Sequence, residues 1–225
     1  MMPSFPLVSF LITLMLAAAV CTQGKEYVRD AAGNYVQTYD EYYIQPVNTK
    51  NNGGGLVPAV VKQVPFCPLG INQDLQKGQP GQPVRFIYPY PLMKTPISIM
   101  ETVIIEFTSK DLPCKEFSGL WEVDESSSAS DEPAILIGGE QLGNNSWFRI
   151  ERAEDVIGAN VYKLTTLTGT IGYIPGPWKG APQLVLTNDT ANTLLVIFKK
   201  VNDATKAPTS TSRVEKFGLR MFPFY

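Results

Sequence analysis

The sequence predicts an all-β protein whose sheet closes on itself. Glycine and proline each occur 18 times among the 225 residues and interrupt the chain throughout. The runs between them are short and rich in Val, Ile, Tyr, Phe and Thr, which is typical of strands separated by turns. No window keeps apolar residues at helical spacing for three turns without a breaker. Closure of the sheet would remove the bare edges that such a chain would otherwise expose.

Seven runs are predicted as strands and three polar stretches as loops. In chain order, the predicted strands are residues 42–45, 56–64, 102–107, 134–137, 147–151, 162–167 and 194–199. The loops are a glycine-rich stretch at 48–55, an acidic, serine-rich stretch at 124–133, and a polar stretch at 202–213. No domain boundary is visible between residues 25 and 201, so this part is predicted to be one domain.

The two ends of the chain differ from this domain. Residues 1–24 contain an uncharged apolar run from 7 to 20 followed by small residues, which predicts a cleaved signal peptide and export to the cell exterior, the apoplast. The run is short for a membrane anchor and lacks a basic flank. Residues 202–225 are predicted as a polar linker and an apolar tail ending in GLRMFPFY. That tail could pack on the domain, be trimmed, or act as a sorting signal that directs the protein to the vacuole.

Composition excludes several classes of function. The chain has no histidine, which rules out Ser-His-Asp and Cys-His catalysis and histidine-containing zinc sites. The 21 acidic residues leave a glycosidase carboxylate pair open, but nothing singles out a pair. No enzyme activity, cofactor or metal is therefore predicted. The net charge of −2 comes without a basic patch, so neither nucleic acid nor a membrane surface is an expected partner.

Cysteine number and two sequons fit an exported protein. Cys21 leaves with the predicted signal peptide, so that Cys67 and Cys114 remain as an even pair and are predicted to form a disulfide. Two buried thiols are the alternative. Asn144 and Asn188 each begin an Asn-X-Ser/Thr sequon, which predicts glycosylation in a surface loop.

One short stretch, YPYPLMKTP at residues 88–96, combines three prolines with a Leu-Met-Lys tip. Proline fixes φ, donates no backbone hydrogen bond and pushes the preceding residue into an extended conformation. The stretch is therefore predicted to be a stiff, extended loop. On these residues alone it is either a surface connector or a peptide offered to a protease.

The segment VRDAAGNYVQTYDEYYI at residues 28–44 resembles the N-terminal signature of the plant Kunitz-type (soybean trypsin inhibitor) family. The six signature positions are filled by Val28, Asp30, Gly33, Val36, Tyr42 and Ile44. Similar segments follow in family order: VPFCPLGINQ around Cys67, the position of Cys114, WFRIERAEDVIGANVYKL, and LVLTNDTANTLLVIFKKV. The resemblance covers residues 26–201. It implies a monomeric β-trefoil: twelve strands in three pseudo-repeats, with six strands in a barrel and six in a hairpin cap.

The resemblance also implies a function and a site. Family members typically inhibit serine proteases by inserting an exposed loop into the protease cleft as a substrate would. Here that loop corresponds to residues 88–96, with Tyr90, Pro91, Leu92, Met93, Lys94 and Thr95 as the candidate contact residues. Two features depart from the family pattern. The asparagine that supports the loop backbone is replaced by Thr38, and the second disulfide is missing.

The residue that enters the protease pocket is Leu92, Met93 or Lys94. A substrate-like inhibitor generally donates N–H groups two residues before and two residues after its pocket residue. Pro91 removes the first donor for Met93, and Pro96 removes the second for Lys94. The pattern thus favours Leu92, which suits a chymotrypsin- or elastase-like protease, and Lys94 would suit a trypsin-like one.

Two other functions remain as alternatives at this stage. The first is a non-inhibitory binding or signalling relative that docks a serine carboxypeptidase or another extracellular partner, which the Thr38 departure favours. The second is a storage or defence protein without a specific partner.

Overall fold

The computed structural model describes residues 24–47, 53–61, 66–90, 93–109, 112–126, 132–153, 160–177 and 179–201. Residues 1–23 of the predicted signal peptide and the C-terminal linker and tail lie outside the described residues, as do Pro91 and Leu92 of the candidate loop. Across the described part of the chain, no helix is long and apolar enough to cross a membrane.

The described residues form twelve strands and two short 3₁₀ helices, which confirms the all-β prediction. The strands are β1 (Glu41–Pro46), β2 (Leu56–Ala59), β3 (Gly70–Gln73), β4 (Val84–Ile87), β5 (Thr102–Phe107), β6 (Trp121–Val123), β7 (Ile135–Ile137), β8 (Phe148–Arg152), β9 (Tyr162–Thr165), β10 (Thr170–Pro175), β11 (Pro182–Thr187) and β12 (Leu195–Lys200). The 3₁₀ helices are Asn144–Ser146 and Thr190–Asn192. Three strands are shorter than predicted: β2 ends at Ala59 instead of extending towards 64, β7 begins at Ile135 instead of 134, and β9 ends at Thr165 instead of 167.

Six of these strands close into an antiparallel barrel in the order β1, β4, β5, β8, β9, β12. Closure is made by two pairings of β12, one with β9 and one with β1. The register with β1 places Ile44 opposite Phe198. Every barrel strand therefore has a partner on both sides.

The other six strands form three hairpins outside the barrel, β2–β3, β6–β7 and β10–β11. Each hairpin is inserted between two barrel strands that pair with one another: β1 with β4, β5 with β8, and β9 with β12. The chain thus repeats one four-strand unit three times. This architecture is a β-trefoil, as the resemblance implied.

The barrel interior is filled by side chains that alternate along the six strands. Phe198 lies in this interior, and its ring centroid is 5.3 Å from that of Phe86 and 5.5 Å from that of Tyr162. Tyr42 packs on Phe86 at 6.1 Å. All four rings are fully buried. Because the barrel is closed, this core fixes the positions of the strand ends from which the loops emerge.

The residues of the N-terminal signature have visible structural roles. Val28, Val36, Tyr42 and Ile44 are buried in the core. Gly33 adopts φ +87°, and the Asp30 carboxylate accepts the N–H groups of Ala32 and Asn34 at 2.9 Å, which fixes the turn between them. The returning chain then pairs Gln37 with Pro96. The signature therefore lays the N-terminal segment directly alongside the candidate loop.

Candidate functional site

The candidate reactive loop, residues 88–96, follows β4, and the structure describes its residues 88–90 and 93–96. Tyr88 and Pro89 are buried, whereas 67 % of Tyr90 and 84 % of Met93 are exposed. The chain becomes half-buried again at Thr95. The described part of the loop thus leaves the body after Pro89 and returns at Thr95.

The N-terminal end of the loop is anchored by hydrogen bonds to more distant segments. The Tyr88 hydroxyl donates to Glu101 Oε2 at 2.8 Å, and Gln141 Nε2 donates to the Pro89 carbonyl at 3.3 Å. The Glu101 carboxylate also accepts the Ser98 N–H at 3.3 Å. Burial and the adjacent Glu101 raise the pKa of Tyr88. Burial tends to raise the pKa of Glu101, but the hydrogen bonds from Tyr88 and Ser98 outweigh it and keep that pKa below its usual value.

The C-terminal end of the loop is held by Thr38, whose side chain is fully buried. The Thr38 N–H donates to the Thr95 carbonyl at 3.0 Å, and the Thr95 N–H donates to Thr38 Oγ1 at 3.0 Å. The Thr38 hydroxyl is a second donor to the Thr95 carbonyl, at 3.3 Å. Thr38 therefore contacts the loop backbone at Thr95. Its predicted role in supporting the loop during inhibition stays a prediction.

A tight turn at residues 38–40 brings a carboxylate to the same end of the loop. Tyr39 adopts φ +65°, a left-handed conformation that favours glycine, and its N–H donates to the Phe86 carbonyl at 3.0 Å. The next residue, Asp40, forms ion pairs with Lys94 of the loop through Oδ1 and with Lys200 of β12 through Oδ2, the latter at 2.8 Å. The loop is thus tied to the barrel by a charged contact as well as by backbone hydrogen bonds.

The two lysines set the charge state of Asp40. Burial tends to raise its pKa, but the hydrogen bonds and charges of Lys200 and Lys94 outweigh burial, so that the pKa lies below its usual value. An unfolded chain would bind a proton at this carboxyl at a higher pH than the folded protein does. Its contribution to stability is therefore present above about pH 4 and is lost as the pH falls through the folded-state pKa.

The disulfide predicted between Cys67 and Cys114 is present, with a Cα–Cα distance of 5.9 Å. It closes a segment of the chain with a sequence separation of 47, and this segment contains the whole candidate loop. Cys114 is fully buried.

Both sequon asparagines, Asn144 and Asn188, are exposed. Their glycosylation stays a prediction. Among the residues that the structure describes, no group of three or more His, Cys, Asp or Glu side chains could hold a metal ion.

Sequence reasoning did not single out Asp40, Lys200 or Glu101 as parts of the site. Asp40 and Lys200 lie 160 positions apart, and the Glu101 contact depends on the packing of Tyr88. The sequence carries no local signal for either contact. Leu92, the favoured pocket residue, and its neighbour Pro91 lie outside the described residues.

A twelve-strand trefoil with one disulfide and an exposed, doubly anchored loop defines a Kunitz-type protein of the plant class. The family model for trypsin and protease inhibitors of the legume Kunitz type matches residues 28–200. The chain therefore belongs to this family, and the resemblance found in the sequence is confirmed.

Three relatives show the range of functions within this similarity. Kunitz trypsin inhibitor 2 of Arabidopsis thaliana is 56 % identical over 205 residues, which cover 90 % of this chain and 95 % of that protein. A water-soluble chlorophyll protein from Brassica oleracea var. botrytis, solved with chlorophyll b, is 53 % identical with a TM-score of 0.72, covering 79 % of this chain and 99 % of that one. Soybean trypsin inhibitor, solved in complex with porcine pancreatic trypsin, is 25 % identical with a TM-score of 0.63, covering 78 % and 99 %.

Proposed function

We propose that the protein inhibits a serine protease by presenting residues 88–96 as a substrate-like loop. The observation that carries this proposal is the anchoring of the loop at both ends, by Tyr88 and Pro89 on one side and by Thr38 on the other. Membership of a protease-inhibitor family and the 56 % identity to a protein named as a trypsin inhibitor support it. Export to the cell exterior and a monomeric state are part of the same proposal.

The two anchors give a physical reason for slow turnover. A loop that is ordered before binding loses little conformational entropy when its main chain pairs with the protease. If the protease cuts the loop between the anchors, the hydrogen bonds to Pro89 and Thr95 hold both new ends in place. The released amine then stays close to the acyl group, which favours resynthesis of the peptide bond over release.

Two substitutions test which residue of the loop enters the protease pocket, here called the register of the loop. Leu92→Gly is expected to weaken inhibition of chymotrypsin or elastase by at least about 30-fold, because a pocket residue is a binding hot spot worth 2 kcal/mol or more. Lys94→Gly is expected to have a much smaller effect. The measurement is titration of the mature protein against trypsin, chymotrypsin, elastase and a serine carboxypeptidase.

Leu167→Gly serves as a control for the register experiment, because Leu167 is 65 % exposed and lies between β9 and β10, outside the loop. Trypsin inhibition that disappears only in Lys94→Gly would contradict the assignment of Leu92 as the pocket residue. Inhibition of none of the four enzymes would contradict the proposed function for these targets, whereas selective binding of the carboxypeptidase would favour the docking alternative.

Removal of the Thr38 hydroxyl tests the support of the loop. Thr38→Val leaves the partly buried Thr95 N–H without its acceptor, and an unsatisfied donor costs up to about 1–3 kcal/mol when it is buried. We expect faster cleavage of the loop by the target protease and roughly tenfold weaker inhibition. The measurement is the inhibition constant together with the rate of loop cleavage, followed by mass spectrometry. Thr38→Ser keeps the hydroxyl and is the matched control; equal values for all three proteins would exclude the support role.

A second candidate function is chlorophyll binding, favoured by the two solved chlorophyll-binding relatives at 53 % identity. Magnesium prefers oxygen ligands, and a chain without histidine offers backbone carbonyl and carboxylate oxygens. When bound, the pigment would supply light absorption.

The test of the second candidate is to mix the purified protein with detergent-solubilised chlorophyll b and to follow pigment absorbance on gel filtration. Pigment that elutes with this protein, but not with soybean trypsin inhibitor treated in the same way, is the expected result for a chlorophyll binder. Elution of the pigment apart from the protein would rule this candidate out.

A further inference from the structure

We propose that Asp40 clamps Lys94 against the barrel, so that Lys94 positions the loop and an apolar residue before it occupies the protease pocket. This inference rests on the proposed function and names the class of partner: a serine protease with an apolar pocket. Lys94 would otherwise be the obvious trypsin-directed residue of the loop.

The clamp is built on rigid parts of the fold. Asp40 directly precedes β1, and only 16 % of its side chain is exposed. One carboxylate oxygen contacts Lys94 and the other contacts Lys200, which pairs with Tyr42 across the β1–β12 ladder. Both Asp40 and Lys200 are therefore fixed by the barrel wall. Lys94 supplies the contact from the loop side.

This contact directs the Lys94 side chain towards the barrel. A lysine in a trypsin-like pocket must extend away from its own protein and pair with an acidic group of the protease. Lys94 would have to leave Asp40 to do so, and it would exchange one carboxylate partner for another. The ion pair formed with the protease would thus replace an existing one, and the free energy of the Asp40 contact would be subtracted from its gain. An apolar pocket residue has no such competing contact to break.

The position of the peptide bonds supports the same conclusion. If Lys94 were the pocket residue, the bond to be cut would be Lys94–Thr95. Thr95 is half-buried, and its N–H is already donated to Thr38 at 3.0 Å. In contrast, Met93, the residue before Lys94, is 84 % exposed. The geometry thus places Lys94 where the loop returns to the body.

The experiment compares Asp40→Asn, Lys94→Met and Lys94→Arg with the wild-type protein against chymotrypsin and trypsin. We expect wild type to inhibit chymotrypsin more tightly than trypsin. Asp40→Asn and Lys94→Met should weaken chymotrypsin inhibition by about three- to tenfold, since a charge-assisted contact to the loop is lost. Lys94→Arg keeps the charge and should inhibit nearly as tightly as wild type.

Salt provides a further test. The difference in inhibition constant between wild type and Asp40→Asn should shrink in 1 M salt, where charges are screened over roughly 3 Å. A loss of packing alone would not depend on salt in this way.

Glu151→Gln and Lys163→Met provide matched controls. Glu151 and Lys163 form an ion pair at 3.1 Å between β8 and β9, and neither belongs to the loop. These variants lose the same charges and should inhibit as wild type does. Near-ultraviolet circular dichroism would verify that all variants are folded.

A second readout does not depend on inhibition: the rate at which trypsin cuts the Lys94–Thr95 bond of the isolated protein. The clamp predicts that this bond resists trypsin in wild type and is cut at least about tenfold faster in Asp40→Asn, since local opening exposes the bond. Equal rates in the two proteins would overturn the clamp. Tight trypsin inhibition by wild type that is lost in Lys94→Met, with the first cut mapped after Lys94, would also overturn it. If wild type inhibits no protease but Asp40→Asn accelerates the cut, the proposed function fails while the clamp stands.

Discussion

Replacing Phe198 by alanine is expected to lower the free energy of unfolding by about 3–5 kcal/mol. Phe198 is fully buried on β12, and its ring packs edge-to-face with the ring of Phe86 and stacks on that of Tyr162. Truncation removes these aromatic contacts and leaves a cavity. The six barrel strands are paired on both sides, so the wall cannot move inwards to fill it. The loss should therefore lie at the upper part of the range for large-to-small substitutions.

Urea unfolding followed by tryptophan fluorescence measures this effect, with the free energy taken from linear extrapolation. Leu167→Ala is the control, because Leu167 is largely exposed and its truncation should change stability by less than about 0.5 kcal/mol. A loss of less than about 1.5 kcal/mol in Phe198→Ala would mean that the barrel collapses around the missing ring.

The strands that could be predicted are those in which local propensity and burial agree. Residues 102–107 form a run rich in β-branched residues and coincide with β5. The strands missed from propensity alone are short or carry atypical residues. β3 contains Asn72 and Gln73, which are polar yet almost fully buried, and β6 has only three residues. Their pairing depends on neighbouring segments of the trefoil, which a local pattern does not contain.

The candidate loop could be located from its prolines, and Thr38 from the position it fills in the family signature. Replacement of the usual amide by a hydroxyl predicts a looser loop, but the structure shows that the backbone N–H of Thr38 adds a contact to the same residue, Thr95. Asp40 could not be predicted as part of the site, because the pairing of β1 with β12 brings Lys200 to it from 160 positions away. Local chemistry thus identified the loop, and only the closed barrel revealed what holds it.

Membership of the family does not by itself decide the function. The same trefoil is present in a soybean inhibitor solved with trypsin and in a chlorophyll protein, and this chain is more similar in sequence to the latter. Function in such a fold resides in the loops that the barrel carries. The anchored loop at residues 88–96 is the feature of this chain that favours inhibition, and it is also the feature that the proposed substitutions change.

Replacing both Cys67 and Cys114 by serine is expected to destabilise the protein by about 4 kcal/mol. The bond closes a segment with a separation of 47 residues, so its loss gives the unfolded chain much more conformational freedom. The segment includes β4, β5 and the candidate loop between them. The expected result is a large fall in the urea midpoint of the double variant, compared with wild type under non-reducing conditions.

Inhibition should respond far less than stability to the loss of this disulfide. The hydrogen bonds that anchor the loop come from Thr38, Glu101 and Gln141. Neither cysteine takes part in these hydrogen bonds. At a temperature where the double variant is still folded, its inhibition constant should therefore stay within about threefold of the wild-type value, a difference below about 1 kcal/mol. A much larger loss of inhibition in the folded variant would show that the disulfide, and not the two sets of hydrogen bonds, sets the shape of the loop. Wild type treated with reductant provides the control, because it breaks the same bond without changing a residue.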